Sequence, residues 1–316
     1  MKEIELQEID GLHIGNAQNP EAKTGVTVLL FDKGATVGVD ISGGGPASRE
    51  TPLASPLTAD NPLHALVFSG GSAYGLAASD GVMRYLEEHD IGYPTDFAKV
   101  PLVCQSCIYD LNIGNPDIRP DADMGYAACK NAEVPHPVTL DLCGNIGAGI
   151  GASVGKICGP KRASKTGIGI YAASIGDLKM AAIVVLNALG DIFNPQNGEK
   201  IAGLLSENGD KFADSKEMLY QLFVPTDLFT GKNTLPNSNT TIGAIVTNGK
   251  FSKAELNKIA SMTRCAFARC INPVGTMADG DSIYALSIGE ISADINVAGT
   301  FAAELMEKAI QRAALL

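Results

Sequence analysis

Apolar residues recur along the chain at two periods. Residues 24–31 (TGVTVLLF) and 35–41 (ATVGVDI) predict two strands around an Asp32-Lys33-Gly34 turn. Residues 63–68 predict another strand, which leads into Ser69-Gly70-Gly71-Ser72, and residues 103–109 a short one. The unbroken apolar run within 179–186 predicts a strand buried on both faces. Residues 240–246 (TTIGAIV) and 282–287 predict two more. Helical spacing takes over at 73–89, where Leu76, Val82, Met83 and Leu86 recur. Ser252-Lys253-Ala254-Glu255 forms a capping box that opens a helix to about Ile271, and residues 297–313 predict a final amphipathic helix. Residues 42–46 and 113–120 read as loops, and 144–155, rich in glycine and small residues, follows no period. The least regular part is 206–239, with Asn, Ser, Pro and Thr concentrated in 231–239. No repeat and no linker interrupts the pattern. The expectation is one α/β (α+β) domain over residues 1–316, with sheets and helices in layers.

Composition narrows the partners. The chain has 316 residues, 45% of them hydrophobic, which is ample for a large core. A net charge of −11 with no Lys/Arg-rich run would repel a phosphate backbone, so nucleic acid is not expected as a partner. The longest apolar stretch, 180–186, is too short to span a bilayer, so no membrane partner is expected. The first six residues alternate like a strand and lack the long apolar segment of an export signal. Seven scattered cysteines, an odd number, fit a reduced, cytoplasmic setting.

Several catalytic signatures nearly match and then fail. Gly151-Ala152-Ser153-Val154-Gly155 has the form of a nucleophile elbow, whose histidine should follow the serine; His13, His64, His89 and His136 all precede Ser153. Gly147-x-Gly149-x-x-Ala152 lacks the preceding strand and the later acid of a dinucleotide loop. Gly155-Lys156 has Ile150 where a phosphate loop needs its first glycine, and Ile157 where it needs Ser or Thr. Cys104-x-x-Cys107 has no second pair at zinc spacing, which leaves two ordinary buried thiols. No cofactor and no metal is expected. A hydrolase built on histidine or zinc has almost no material here.

What remains is the junction at residues 237–248, where a polar loop gives way to a strand at Thr240. Asn239-Thr240-Thr241-Ile242, followed by Ala244-Ile245-Val246-Thr247-Asn248, resembles the self-processing junction of the DmpA/BapA-type aminopeptidases, and most closely their endo-type nylon-oligomer hydrolase branch. Five further segments match that family in order: Ser69 to Leu76 its early glycine turn, Ile108-Tyr109-Asp110 the segment of its oxyanion-hole tyrosine, Gly151 to Lys156 the glycine segment ending in a site lysine, Val185 to Gly190 the segment of its site asparagine (Asn187), and Asp279-Gly280-Asp281 its pair of site acids. The resemblance covers nearly the whole chain. One departure is Gly275-Thr276, where many members carry His-Thr, which bears on substrate preference. The acids Asp279 and Asp281 follow the nylon-hydrolase variant rather than the Ser and Glu of the serine aminopeptidases.

The resemblance implies an αββα sandwich, a symmetric assembly, often a tetramer, and cleavage between Asn239 and Thr240 into residues 1–239 and 240–316. Substrates would be short: N-terminal residues of small peptides, β- or D-amino acid amides, or linear amide oligomers. The chemistry suits these residue types. A threonine hydroxyl needs a base. A cut before Thr240 would give it an α-amine with an ordinary pKa of about 7.7–8.0, fixed beside its own hydroxyl. Paired acids at 279 and 281, facing one side if they lie on a strand, would hold that ammonium. Asn187 and Tyr109 would donate to the oxyanion, and Lys156 would orient Thr240 or the acids by charge. Two other readings are an acyltransferase of the ornithine acetyltransferase type, which an acyl-acceptor assay separates, and an unprocessed binding protein of the same fold, which the intact mass separates.

Overall fold

The computed structural model describes residues 1–222 and 239–315. Its first half lays down β1 (Lys2–Glu3), β2 (Leu12–Asn19), β3 (Thr24–Ile41), β4 (Ala47–Arg49), β5 (Leu63–Ser69), α1 (Ala78–Glu88), β6 (Val103–Cys107) and α2 (Ala122–Ala132). Then follow β7 (Ile168–Ile175), β8 (Leu178–Val185), the short α3 (Ser215–Tyr220), β9 (Ile242–Gly249), α4 (Lys253–Cys270), β10 (Ser282–Ile291) and α5 (Ile295–Leu315).

The turn expected at Asp32-Lys33-Gly34 does not form. β3 runs through it as one strand of 18 residues. Its first part pairs with β2 and β5, and its last part, Thr36 to Ile41, pairs with β10. The handover falls at a register shift between Leu30 and Ala35, with Gly34 at φ 75°. One long strand thus belongs to two sheets, a solution that local turn chemistry does not reveal. The first sheet has the order β2-β3-β5-β6-β4, and the second β1-β7-β8-β9-β10-β3.

Period-2 alternation then sorts the side chains into three cores. Val26 and Val28 of β3 and Ala65 and Val67 of β5 pack on α1 and α2. The alternate residues Leu29, Phe31, Leu66 and Phe68 face the second sheet, where they meet Ala181, Ile183, Val185, Ala244, Val246, Tyr284 and Leu286. The outer face of that second sheet, with Met180, Ala182, Val184, Ile245 and Ala285, packs on α4 and α5. The apolar run of β8 is unbroken because both of its faces are buried, as predicted. Helices, sheet, sheet, helices is the αββα sandwich. Among the described residues, no helix is long and apolar enough to cross a membrane.

The capping box at Ser252 and Glu255 opens α4 as its sequence predicts. The polar, Pro-containing run at 231–238 lies outside the described residues.

Candidate active site

β9 and β10 are parallel neighbours, with Ile242 opposite Ser282. Parallel pairing continues into the segments that enter them, so Asn239 bridges to Asp279. The Gly280 N–H donates to the Asn239 carbonyl (3.0 Å), and the Ser282 N–H to the Thr241 carbonyl (3.2 Å). This pairing brings the 239–241 junction against Asp279-Gly280-Asp281, some forty residues further along the chain. From the other side, where β8 ends, the Asn187 carbonyl accepts from the Thr240 N–H (2.9 Å). The Thr240 hydroxyl donates to the carbonyl of Asn239, the residue it would attack, at 2.5 Å.

The site is dry. Thr240 is 5% exposed, Asp279 2%, Asp281 and Lys156 1%, and Asn187 0%. Asp281 precedes β10 and takes the Thr241 N–H on Oδ1 (2.6 Å) and the Gly275 N–H on Oδ2 (3.3 Å). Asp279 turns back to Thr276, accepting its N–H (2.9 Å) and its hydroxyl (2.7 Å) on Oδ2. Neither acid is within the strand, and each has its own partners. Burial raises the pKa of both, and the charge of Asp279 raises that of Asp281 further.

Lys156 sits where the glycine segment enters the site. Its Nζ donates to the Asn187 carbonyl (2.9 Å), the same oxygen that holds the Thr240 N–H. Burial lowers its pKa to about 7, against the pull of Asp279, Asp110 and Asp281. Asn187 spends its side chain on architecture: Oδ1 accepts the Ser153 N–H (3.1 Å) and Nδ2 donates to the Tyr109 carbonyl (3.0 Å). Tyr109 is half-buried and joins the network through that carbonyl. Ser153 likewise takes part through its backbone, and its buried hydroxyl has no hydrogen-bond partner among the described residues. The thiols of Cys104 and Cys107 are free and buried, with pKa values pushed up to about 12 by that burial.

Three features escaped the sequence. The Gly280 N–H is a backbone donor, which side-chain motifs do not report. Asp110 is a buried acid close enough to favour the Lys156 charge; its only sequence signal was its place after Tyr109. The glycine loop after β3 is tied to the acidic segment. Ser42 and Gly43 N–H groups donate to the Asp281 carbonyl, Gly44 to Thr276 and Gly45 to Asp279. A Cβ at Gly43 would lie 2.3 Å from the Asp281 nitrogen, so only glycine permits this approach.

The chain that carries this arrangement has known relatives. The profile of Peptidase family S58 matches residues 5–315. The chain is 36% identical over 299 residues to an uncharacterized aminopeptidase of Mycobacterium tuberculosis (strain H37Rv), covering 91% of this chain and 82% of that protein. It is 33% identical over 322 residues to the 6-aminohexanoate-oligomer endohydrolase of Kocuria sp., covering 96% and 84%. Among solved structures, the L-aminopeptidase D-Ala-esterase/amidase of Ochrobactrum anthropi, described as a variant of the Ntn hydrolase fold, superimposes with a TM-score of 0.68 at 16% identity, covering 97% of this chain and 84% of that one. A beta-aminopeptidase of Burkholderia sp. gives 0.66 at 17%, with the same coverage. Those two likenesses carry the fold; the family profile carries the chemistry. The chain belongs to Peptidase family S58 and is an amide-bond hydrolase.

Proposed function

We propose that the protein cuts itself between Asn239 and Thr240 and then uses the freed Thr240 to cleave short amides. The observation that carries this reading is the crowding at one carbonyl. The Asn239 oxygen accepts from both the Thr240 hydroxyl (2.5 Å) and the Gly280 N–H (3.0 Å). The nucleophile is thus already beside its target, and a backbone donor is already on the oxygen that would become an oxyanion.

The Thr240 oxygen bonds to the Asn239 carbonyl carbon and loses its proton. The bond from that carbon to the Thr240 nitrogen breaks, and the nitrogen takes up a proton. Water then splits the ester, leaving a carboxylate on Asn239 and an α-amine on Thr240. Lys156, with its pKa lowered to about 7, can exchange a proton near neutrality, and the Asn187 carbonyl joins it to the Thr240 N–H. In the cut enzyme, the α-amine serves as base for each new acyl transfer. Asp279 and Asp281 would hold it as an ammonium.

The substrates proposed are small peptides, β- or D-amino acid amides and linear amide oligomers. The assembly proposed is a tetramer of cut heterodimers. The test is an intact-mass spectrum of purified protein, which should show residues 1–239 and the 77-residue product 240–316. Thr240→Ala should remain a single chain and lose activity by on the order of 10³-fold or more. Ser153→Ala should still process. An active enzyme of full-length mass would end this proposal.

A further inference from the structure

Asn239 carries the carbonyl that the Thr240 hydroxyl reaches, and it is enclosed at 2% exposure. Its backbone is held like that of a strand residue: it bridges to Asp279, and its carbonyl accepts the Gly280 N–H at 3.0 Å. Its side chain is held too. The Nδ2 amide donates to the Ala278 carbonyl at 3.5 Å, the long end of the hydrogen-bond range. Ala278 is 8% exposed, so its carbonyl loses stability wherever no donor faces it. Ala278 also packs with Ile157, Leu189 and Leu204 in a small apolar cluster.

Self-cleavage and the later reaction use the same hydroxyl and the same backbone donor. A substrate's scissile carbonyl therefore has to lie where the Asn239 carbonyl lies, once residue 239 has stepped out of that place. The acyl group behind it then either refills the space of the Asn239 side chain or leaves the Ala278 carbonyl without its donor. Asn239 also gives the length required. Counted along the bonds from its carbonyl carbon, the side-chain nitrogen stands as far out as the amine of a γ-amino acid, farther than an α- or β-amino group reaches. We propose that this space is the acyl subsite and that it takes a short, straight ω-amino acyl group of the γ-amino acid length. The N–H of that group replaces the Asn239 amide on the Ala278 carbonyl, and its methylenes suit the apolar cluster beside it. This rests on the reading of Thr240 as a self-released nucleophile, and it narrows the substrates of that site to one acyl class.

The test uses the native protein and a series of p-nitroanilides, with the intact mass recorded alongside. kcat/KM is measured for the glycyl, β-alanyl and 4-aminobutanoyl anilides and for the pentanoyl anilide, in which a methyl group stands in place of the amine. The 4-aminobutanoyl compound should be the best of the four. It should exceed the pentanoyl compound by about tenfold or more, because an acceptor left bare in a dry site disfavours the analogue that lacks the donor. N-acetylation of the 4-aminobutanoyl compound keeps one N–H. Retained turnover would identify an internal amide link as the source of the donor, lost turnover a free ammonium, and either agrees with the subsite. A pentanoyl anilide cut as fast as the 4-aminobutanoyl one overturns the donor contact. A series that peaks at glycyl or β-alanyl overturns the length. A cut, active enzyme with either of those results removes this inference alone, whereas an inert protein of full-length mass removes the self-released nucleophile and this subsite with it.

Discussion

At the scale of single residues, the constraint that bears directly on the nucleophile falls on Gly280. A Cβ there would lie 2.8 Å from the Thr240 hydroxyl oxygen and 2.8 Å from the Gly45 carbonyl. Gly280→Ala should therefore displace the nucleophile without opening a core. Self-cleavage should slow by about 10²-fold, as for a misplacement of roughly 1 Å. A gel time course after synthesis measures this, and cleavage at the native rate would contradict it. The sequence motifs lead directly to Thr240, Lys156, Asn187 and the two acids, because those are side-chain identities in a known order. What they hide is how the residues are used. Asn187 serves Thr240 and Lys156 through its backbone oxygen while its amide ties Ser153 to Tyr109. A carbonyl is common to every residue type, so no residue pattern reports it. Asp110 is hidden for another reason: an acid is usually solvated, and only the fold shows that two glycines clear a space for this one.

Among elements, the glycine loop after β3 controls the acidic segment. Four of its N–H groups are tied there. Gly43→Ala should push the two loops apart, cost about 1–3 kcal/mol by overpacking, and leave the chain uncut. Ser252→Ala is the contrasting change. It removes the N-cap of α4, should cost about 1 kcal/mol, and should leave cleavage intact. Urea midpoints and intact masses of the two variants check both outcomes, and normal cleavage in Gly43→Ala would refute the coupling. The strands and helices with strong periods were legible. β2, β7 and α2 were not. α2 buries Gly125, Ala128, Cys129 and Ala132, small residues that form a close-packed face without an apolar stripe. The second half of β2 reads as polar, although it pairs along its whole length with β3. The long β3 was legible as strand, but its passage between two sheets depends on β10, some 240 residues away.

For the whole molecule, the buried charges set a pH dependence. Burial raises the pKa of Asp110, Asp279 and Asp281. The folded state keeps protons that the unfolded chain releases near pH ~4. These acids therefore stabilise the fold most below that pH, and the contribution drains away as the pH climbs toward their raised values. Lys156, depressed to about 7, has the opposite sign but acts only above that value. Between about pH 5 and 7 the acids are opposed only by the buried His64, whose pKa burial lowers. In the Thr240→Ala chain, Asp281→Asn should flatten the fall in melting temperature over that interval; calorimetry at both ends decides, and an unchanged slope rejects the assignment. The layered α/β class was legible because a strand buried on both faces, as β8 is, leaves an unbroken apolar run. The pairing of β9 with β10, on which the site depends, was not, because strand order leaves no local trace. That pairing carries a last consequence. β9 lies between β8 and β10, so residues 240–316 supply two interior strands and two covering helices. A cut before Thr240 would break the chain without freeing either piece. Mass spectrometry would count two polypeptides where sedimentation still found one particle, and the pieces should melt together. The new terminus would remain locked in the interior, so that maturation changes the connectivity of the molecule and not its shape.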